Sequence, residues 1–241
     1  MPNTDIEHIQ NQSIKRTVDI HNIKPLSEVE KNTEIFIPTI QYGKEGTSIN
    51  KTIVDECNSV AKKVLKYLRA PVKKLSFLHH PLTLVDSNAV NENNLNTFPR
   101  TEFGEKNMDI PVIIYSSSPV YDAEGNLVIA MFSPDNSVIF ISTNEIKRQF
   151  SEEASEDITK PGDLMLKKNI LEQPEIMSGI AMIEEITHFV QVKHWGEKSE
   201  KGTNSVQNIK EHDADPIEAE ARIIKNQLIK LIYPQYIEKE F

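Results

Sequence analysis

The chain of 241 residues contains a single cysteine, Cys57. That excludes a disulfide within the chain and a four-cysteine zinc site, and it fits a reducing compartment. No apolar run approaches the roughly 18 residues that a membrane helix requires. The stretch from Met1 to Lys24 is polar and lacks the apolar centre of a secretory signal. The expected location is therefore cytoplasmic, or exported by a route that leaves no cleavable signal peptide. Positive charge is in deficit: 27 Lys and Arg stand against 36 Asp and Glu, a net charge of −9. Neither a nucleic acid nor an anionic membrane is expected as a partner. Among the eight glycines there is no phosphate-cradling loop, and no zinc-finger spacing occurs. No internal repeat or low-complexity tract is present.

What is there reads as a globular α+β chain. Hydrophobic residues make up 38% and charged residues 26%, which is ordinary soluble composition. The length suits one substantial domain or two small ones. Residues 1–33 read as a polar N-terminal extension, and residues 34–241 as a single α+β domain. Glu34 to Ile37 is a strand candidate ended by Pro38, with a turn at Gly43–Gly46. Ile53, Cys57, Val60, Val64 and Leu68 recur at spacings of three and four, which predicts a helix over Ile49–Leu68 with one apolar face. Cys57 lies on that face and is expected as a small buried hydrophobe. After Pro71, short strands are expected within Leu75–Val85, then a long polar loop over 87–109. Pro111–Tyr115, Leu127–Phe132 and Val138–Ser142 read as strands, the last two resembling a hairpin. Residues 143–170 read as a helix and a connector.

The final third is predicted to be helical. Pro174 opens a helix whose Ile176, Ile180, Ile183, Ile186 and Val190 form an apolar face, and Gly196 suits its left-handed end. After a polar loop at Ser199–Gln207, Asp215 reads as an N-cap with Pro216 at the first helical position. That helix is expected to run through Ile232, before Pro234.

These two helices carry the chemistry. The first contains Glu184-Glu185-Ile186-Thr187-His188-Phe189-Val190-Gln191, and the second begins Asp215-Pro216-Ile217-Glu218-Ala219-Glu220-Ala221. Residues four apart share a helix face, so Glu184 and His188 project side by side, in line with Met177 and Ala181. Glu185 is turned by about a third of a revolution. A metal held by Glu184 and His188 needs a third donor from elsewhere. Glu218 and Glu220 flank the Ile217–Ala221–Ile224–Leu228 face by similar angles, so periodicity does not choose between them. Each residue also has a plain reading. Glu184 and Glu185 suit solvated helix charges, Glu218 suits a capping box begun by Asp215, and Arg222 suits an ion pair with Glu218.

The run Glu185-Ile186-Thr187-His188-Phe189-Val190-Gln191 is similar to the HExxHxxQ helices of many small bacterial zincins, with Glu184 in place of the first histidine. Glu218-Ala219-Glu220-Ala221 resembles their ExxA helix. The close likeness covers about residues 175–232, and the rest agrees in element order. It implies a zincin-like metallopeptidase of the minimal gluzincin type. The implied fold has a small mixed sheet, a backing helix, a metal-site helix and a C-terminal glutamate helix. The implied ligands are Glu184, His188 and Glu218 around zinc, with Glu185 as general base and peptide hydrolysis as the reaction. The implied partner is a peptide or protein, and Val138–Ser142 is the expected edge strand beside it.

The departure at Glu184 has a chemical cost. Two histidines and a glutamate leave zinc with a net single positive charge, whereas Glu184, His188 and Glu218 would neutralise it. The ion would then polarise a carbonyl less and acidify water less, and preference would tilt toward a harder divalent metal such as manganese. The competing expectation is a catalytically inactive zincin-like pseudoenzyme that binds a partner. Other ligand readings are weaker. His194 lies six residues after His188 and faces about 120° away on a continuous helix. His79, His80 and His212 suit surface or core polar roles, although His212 is close enough to the second helix to line a cleft. A ferritin-like di-iron site needs a second Glu-x-x-His, which the C-terminal region lacks.

Overall fold

A mixed sheet packed on helices, the α+β class, is what the computed structural model contains. It describes residues 18–33, 35, 39–43, 50–70, 82–85, 90–91, 111–116, 120–121, 127–134, 137–143, 164–196 and 215–240. Among these, the helices are α1 (Glu28–Asn32), α2 (Lys51–Tyr67), α3 (Pro174–Lys193) and α4 (Pro216–Ile232). The principal strands are β1 (Thr39–Gly43), β2 (Leu82–Val85), β4 (Val112–Ser116), β7 (Ala130–Ser133) and β8 (Val138–Ser142). They form a five-stranded sheet in the order β2–β1–β4–β8–β7. All pairings are parallel except β7 with β8. Short strands β3 (Val90–Asn91), β5 (Val120–Tyr121) and β6 (Leu127–Val128) make a separate three-stranded sheet.

Two of the sheet's interior strands, β4 and β8, are apolar runs up to their closing serines, as strands covered on both faces require. Every residue of β4 and β8 is buried. Helix α2 begins at the N-cap Asn50, whose side chain accepts from the Thr52 N–H. Its expected stripe is fully realised: Ile53, Cys57, Val60, Val64 and Leu68 are all buried. Burial pushes the Cys57 thiol well up, which suits a packing role. Tyr115 on β4 donates its hydroxyl to Asn58 Oδ1 at 2.8 Å, pinning α2 to the sheet. Helix α3 packs against α2, β7, β8 and α4, so it is buried over much of its circumference. Ile183, Ile186 and Val190 are fully buried, while Ile176 and Ile180 pack at the margin.

Several expectations change. Of Glu34–Ile37 only Ile35 lies among the described residues, and it is not in a strand; the strand follows Pro38, at Thr39–Gly43. Proline lacks the N–H that a strand paired on both sides needs, and β1 pairs with β2 and β4. Val138–Ser142 is not the edge: β8 lies between β4 and β7, and among the described residues the half-buried β7 forms that edge. Leu127–Phe132 divides at Ile129 into β6 and β7, and β7 with β8 does form the expected antiparallel pair. Val90–Asn91 within the expected loop pairs with β5. Leu164–Leu166 is a strand, β9, paired antiparallel with a C-terminal strand, β10 (Ile237–Glu240). Most of 87–109, residues 144–163, the Ser199–Gln207 loop, His79, His80 and His212 lie outside the described residues. Near the N-terminus, Ile23 is buried in the core, and Lys66 Nζ donates to the Lys31 carbonyl of α1. No helix among the described residues is long and apolar enough to cross a membrane.

Candidate metal centre

Helices α3 and α4 meet along one seam, and their local sequences set where each begins and ends. Pro174 stands at the first turn of α3, where its missing N–H costs nothing. Asp215 caps α4, its Oδ1 accepting from the Ile217 N–H at 2.9 Å, with Pro216 following. Gly196, at φ +68°, turns the chain away beyond α3. The contacts across the seam run in opposite directions. His188 meets Glu218, whereas the earlier Glu184 meets the later Lys225. The two helices are therefore antiparallel at the site.

Glu184, His188 and Glu218 converge, each half-buried, with one donor atom from each lying within 4.8 Å of the others. His188 Nε2 is 3.3 Å from Glu218 Oε2. Two ligands of a tetrahedral zinc with bonds near 2.1 Å are about 3.4 Å apart, so this pair already has the spacing of adjacent ligands. The imidazole's other nitrogen is held too: His188 Nδ1 is 3.1 Å from Gln191 Oε1. Gln191 is buried, and its Nε2 donates to Glu220 Oε2 at 2.7 Å and to the Ile217 carbonyl at 3.1 Å. An amide thus orients the imidazole and leaves Nε2 facing the carboxylates, as supporting partners of metal-bound histidines do.

The electrostatics follow from packing carboxylates around one imidazole. Burial by itself would lower the pKa of His188. The hydrogen bond and charge of Glu218, with the charges of Glu185 and Glu184, outweigh it and raise the group to about 9. Burial pushes Glu185 up to about 7, with the charges of Glu184 and Glu218 adding to the rise. His188 and the backbone N–H of Phe132, on edge strand β7, pull the other way. A carboxyl poised near neutrality beside a triad can exchange a proton at physiological pH.

The residues present fit a divalent ion: one imidazole with an oriented ring, two carboxylates, and a partly enclosed position. The two glutamates that sequence left unresolved have separate places, Glu218 on His188 and Glu220 on Gln191. His194 lies just past α3, buried, its ring edge-on to Phe189 at 5.3 Å between centroids, and it does not belong to the converging group. Two residues escaped the sequence reading. Gln191 was visible only as part of a motif, although its position three after His188 puts it on the same face. Lys225 donates from Nζ to Glu184 Oε2 at 2.7 Å; seven residues after Glu218, it lies two turns along the same face of α4. No family model, curated protein or solved structure matches this chain. What stands is an α+β fold in which a His–Glu–Glu triad suited to a metal ion converges from two helices.

Proposed function

We propose that the chain is a zincin-like metal-dependent hydrolase acting on peptides, with Glu184, His188 and Glu218 as ligands and Glu185 as general base. The observation that carries this reading is the convergence of the three donors from two helices, beside a carboxyl raised to about 7. Zinc, or a harder divalent ion such as manganese, would polarise the scissile carbonyl and acidify a water at this position. Glu185 takes a proton from the attacking water and returns it to the departing amine, so one peptide and one water become an acid and an amine. Gln191 keeps the His188 ring in register. Strand β7 supports the substrate class, because it is an antiparallel edge packed beside α3, and an extended peptide adds to such an edge by backbone hydrogen bonds. The Phe132 backbone N–H on β7 helps to lower the pKa of Glu185, which supports a substrate strand lying close to that carboxyl.

A second reading, an inactive zincin-like binding protein, is favoured by one observation: the Lys225 ammonium sits on Glu184. Metal analysis of untagged protein, zinc and manganese titration, and a peptide-library cleavage assay separate the two. Bound metal, with cleavage abolished by Glu185→Gln and metal retained, is the expected result. Metal binding without cleavage in wild type would establish the second reading instead, and no binding of either ion at neutral pH would refute the metal centre altogether.

A further inference from the structure

Glu184 stands where a neutral histidine would be expected, and the structure surrounds that extra negative charge with a specific response. Lys225 Nζ lies 2.7 Å from Glu184 Oε2, with the lysine and glutamate side chains 24% and 32% exposed. At that burial the pair is shielded from bulk solvent more than a surface pair, so its charge bears on whatever else occupies the site. The helix geometry makes the contact systematic. Cβ atoms tilt toward a helix N-terminus, so the Lys225 stem leans back along α4 toward Glu218, and the antiparallel seam brings Glu184 to meet it.

We propose that Lys225 is the internal counter-cation of the centre, a residue that neutralises Glu184 so that the Glu–Lys pair stands in for a neutral histidine. This rests on the metal-hydrolase reading above and deepens it. The charge count gives the reason. A divalent ion with Glu184 and Glu218 sums to zero, and adding Lys225 returns the total to a single positive charge. That is the value left by two neutral imidazoles and one carboxylate. The same ammonium has a second consequence, because it competes with an incoming cation for the Glu184 carboxylate and repels it at short range. Lys225 therefore holds affinity down while keeping the bound ion electrophilic.

The test compares wild type, Lys225→Met and Lys225→Arg by calorimetric titration with zinc and, separately, manganese. Circular dichroism and thermal unfolding without added metal confirm that each variant folds. Methionine keeps the apolar stem and removes the charge, so Lys225→Met should bind each ion at least about tenfold more tightly than wild type. Lys225→Arg keeps the charge and should stay within about threefold of wild type. A folding or packing role for Lys225 would lower affinity in both variants, and no such role predicts a gain. Tighter binding by Lys225→Met than by a wild type that itself binds metal supports the inference. Equal or weaker binding by folded Lys225→Met, with wild type binding metal, overturns the inference and leaves the metal reading standing. No binding by any of the three proteins overturns both.

Discussion

His188 and Glu185 stand three positions apart on α3, and each is tuned by the same carboxylate cluster. Burial opposes the charge on His188, yet Glu218, Glu185 and Glu184 hold its pKa near 9. That is above the unfolded value near 6.5, so the stability it contributes is fully present below about pH 6.5 and lost as pH rises through about 9. Glu185 works in the same direction. Burial lifts it to about 7, so its contribution is present below the unfolded value near 4.3 and lost as pH rises through about 7. Urea denaturation of wild type should accordingly show stability falling from about pH 5 to about pH 9 from these groups. Glu185→Gln should flatten the lower half of that profile and His188→Gln the upper half. Allowing for partial exposure, each substitution shifts the profile by on the order of 1 kcal/mol. Metal affinity should move the opposite way. His188 must lose a proton to ligate, so zinc binding should tighten by about tenfold per pH unit below about pH 9, with proton release measurable in buffers of different ionisation enthalpy. A wild type whose stability climbs between about pH 7 and 9 would contradict the charge assignment.

At the scale of elements, one buried amide ties the seam between α3 and α4 to the site's imidazole. Gln191 reaches the Ile217 carbonyl and Glu220 on α4 while its own oxygen holds His188 on α3. Leucine at this position has similar bulk and none of these bonds. Gln191→Leu should cost about 1–3 kcal/mol, the usual penalty for leaving buried polar groups unsatisfied. It should also weaken zinc binding about tenfold or more, as loss of a supporting partner does. Gln191→Glu, which keeps an acceptor for His188 but faces Glu220 with like charge, should bind metal better than the leucine variant while remaining less stable than wild type. Hydrogen exchange at the first turn of α4 reads the loosening directly. An unchanged exchange rate there, with unchanged metal affinity, would show that Gln191 bridges nothing of consequence.

Across the whole molecule, three helices far apart in sequence are joined at a single hydroxyl. Tyr233, at the end of α4, donates to Glu56 Oε1 of α2 at 2.6 Å, across 177 positions. The same hydroxyl lies over Gly179 of α3, where an added Cβ would collide with it. Glycine is needed there for close approach, since mid-helix it otherwise costs about 1 kcal/mol relative to alanine. Tyr233→Phe should lower stability by about 1–2 kcal/mol by removing a hydrogen bond to a carboxylate. Gly179→Ala should lower it more. It displaces the ring, breaks the same bond and overpacks the junction by about 1–3 kcal/mol. Thermal unfolding orders the two, and neither should change zinc affinity in protein that remains folded, because the junction lies outside the triad. A Gly179→Ala protein more stable than wild type would mean that helix propensity outweighs the collision.

The same scales separate what the amino-acid order decides alone from what waits for the folded chain. The bounds of α2, α3 and α4 to within two residues, the Asp215 cap of α4, the stripe from Ile53 to Leu68, and the shared face of Glu184 and His188 were all legible. Each depends on neighbours within four residues, where the helix repeat and capping chemistry act. The strands were legible as apolar runs but not as places in a sheet. That β8 is interior and β7 the edge, and that β1 begins after Pro38, depends on partners distant in sequence. Strands β9 and β10 escaped notice for the same reason, since Leu164–Leu166 gains its character from residues near the C-terminus. The site divides likewise. Sequence proposed Glu184, His188 and Glu218 through a motif, yet Glu218 and Glu220 stood at equivalent angles until α4 docked. Docking sent Glu218 to His188 and Glu220 to Gln191, and it brought Lys225 onto Glu184. One helix determines which side chains share its face; only the antiparallel packing of two determines which charges meet, because that register is set by the core beneath them.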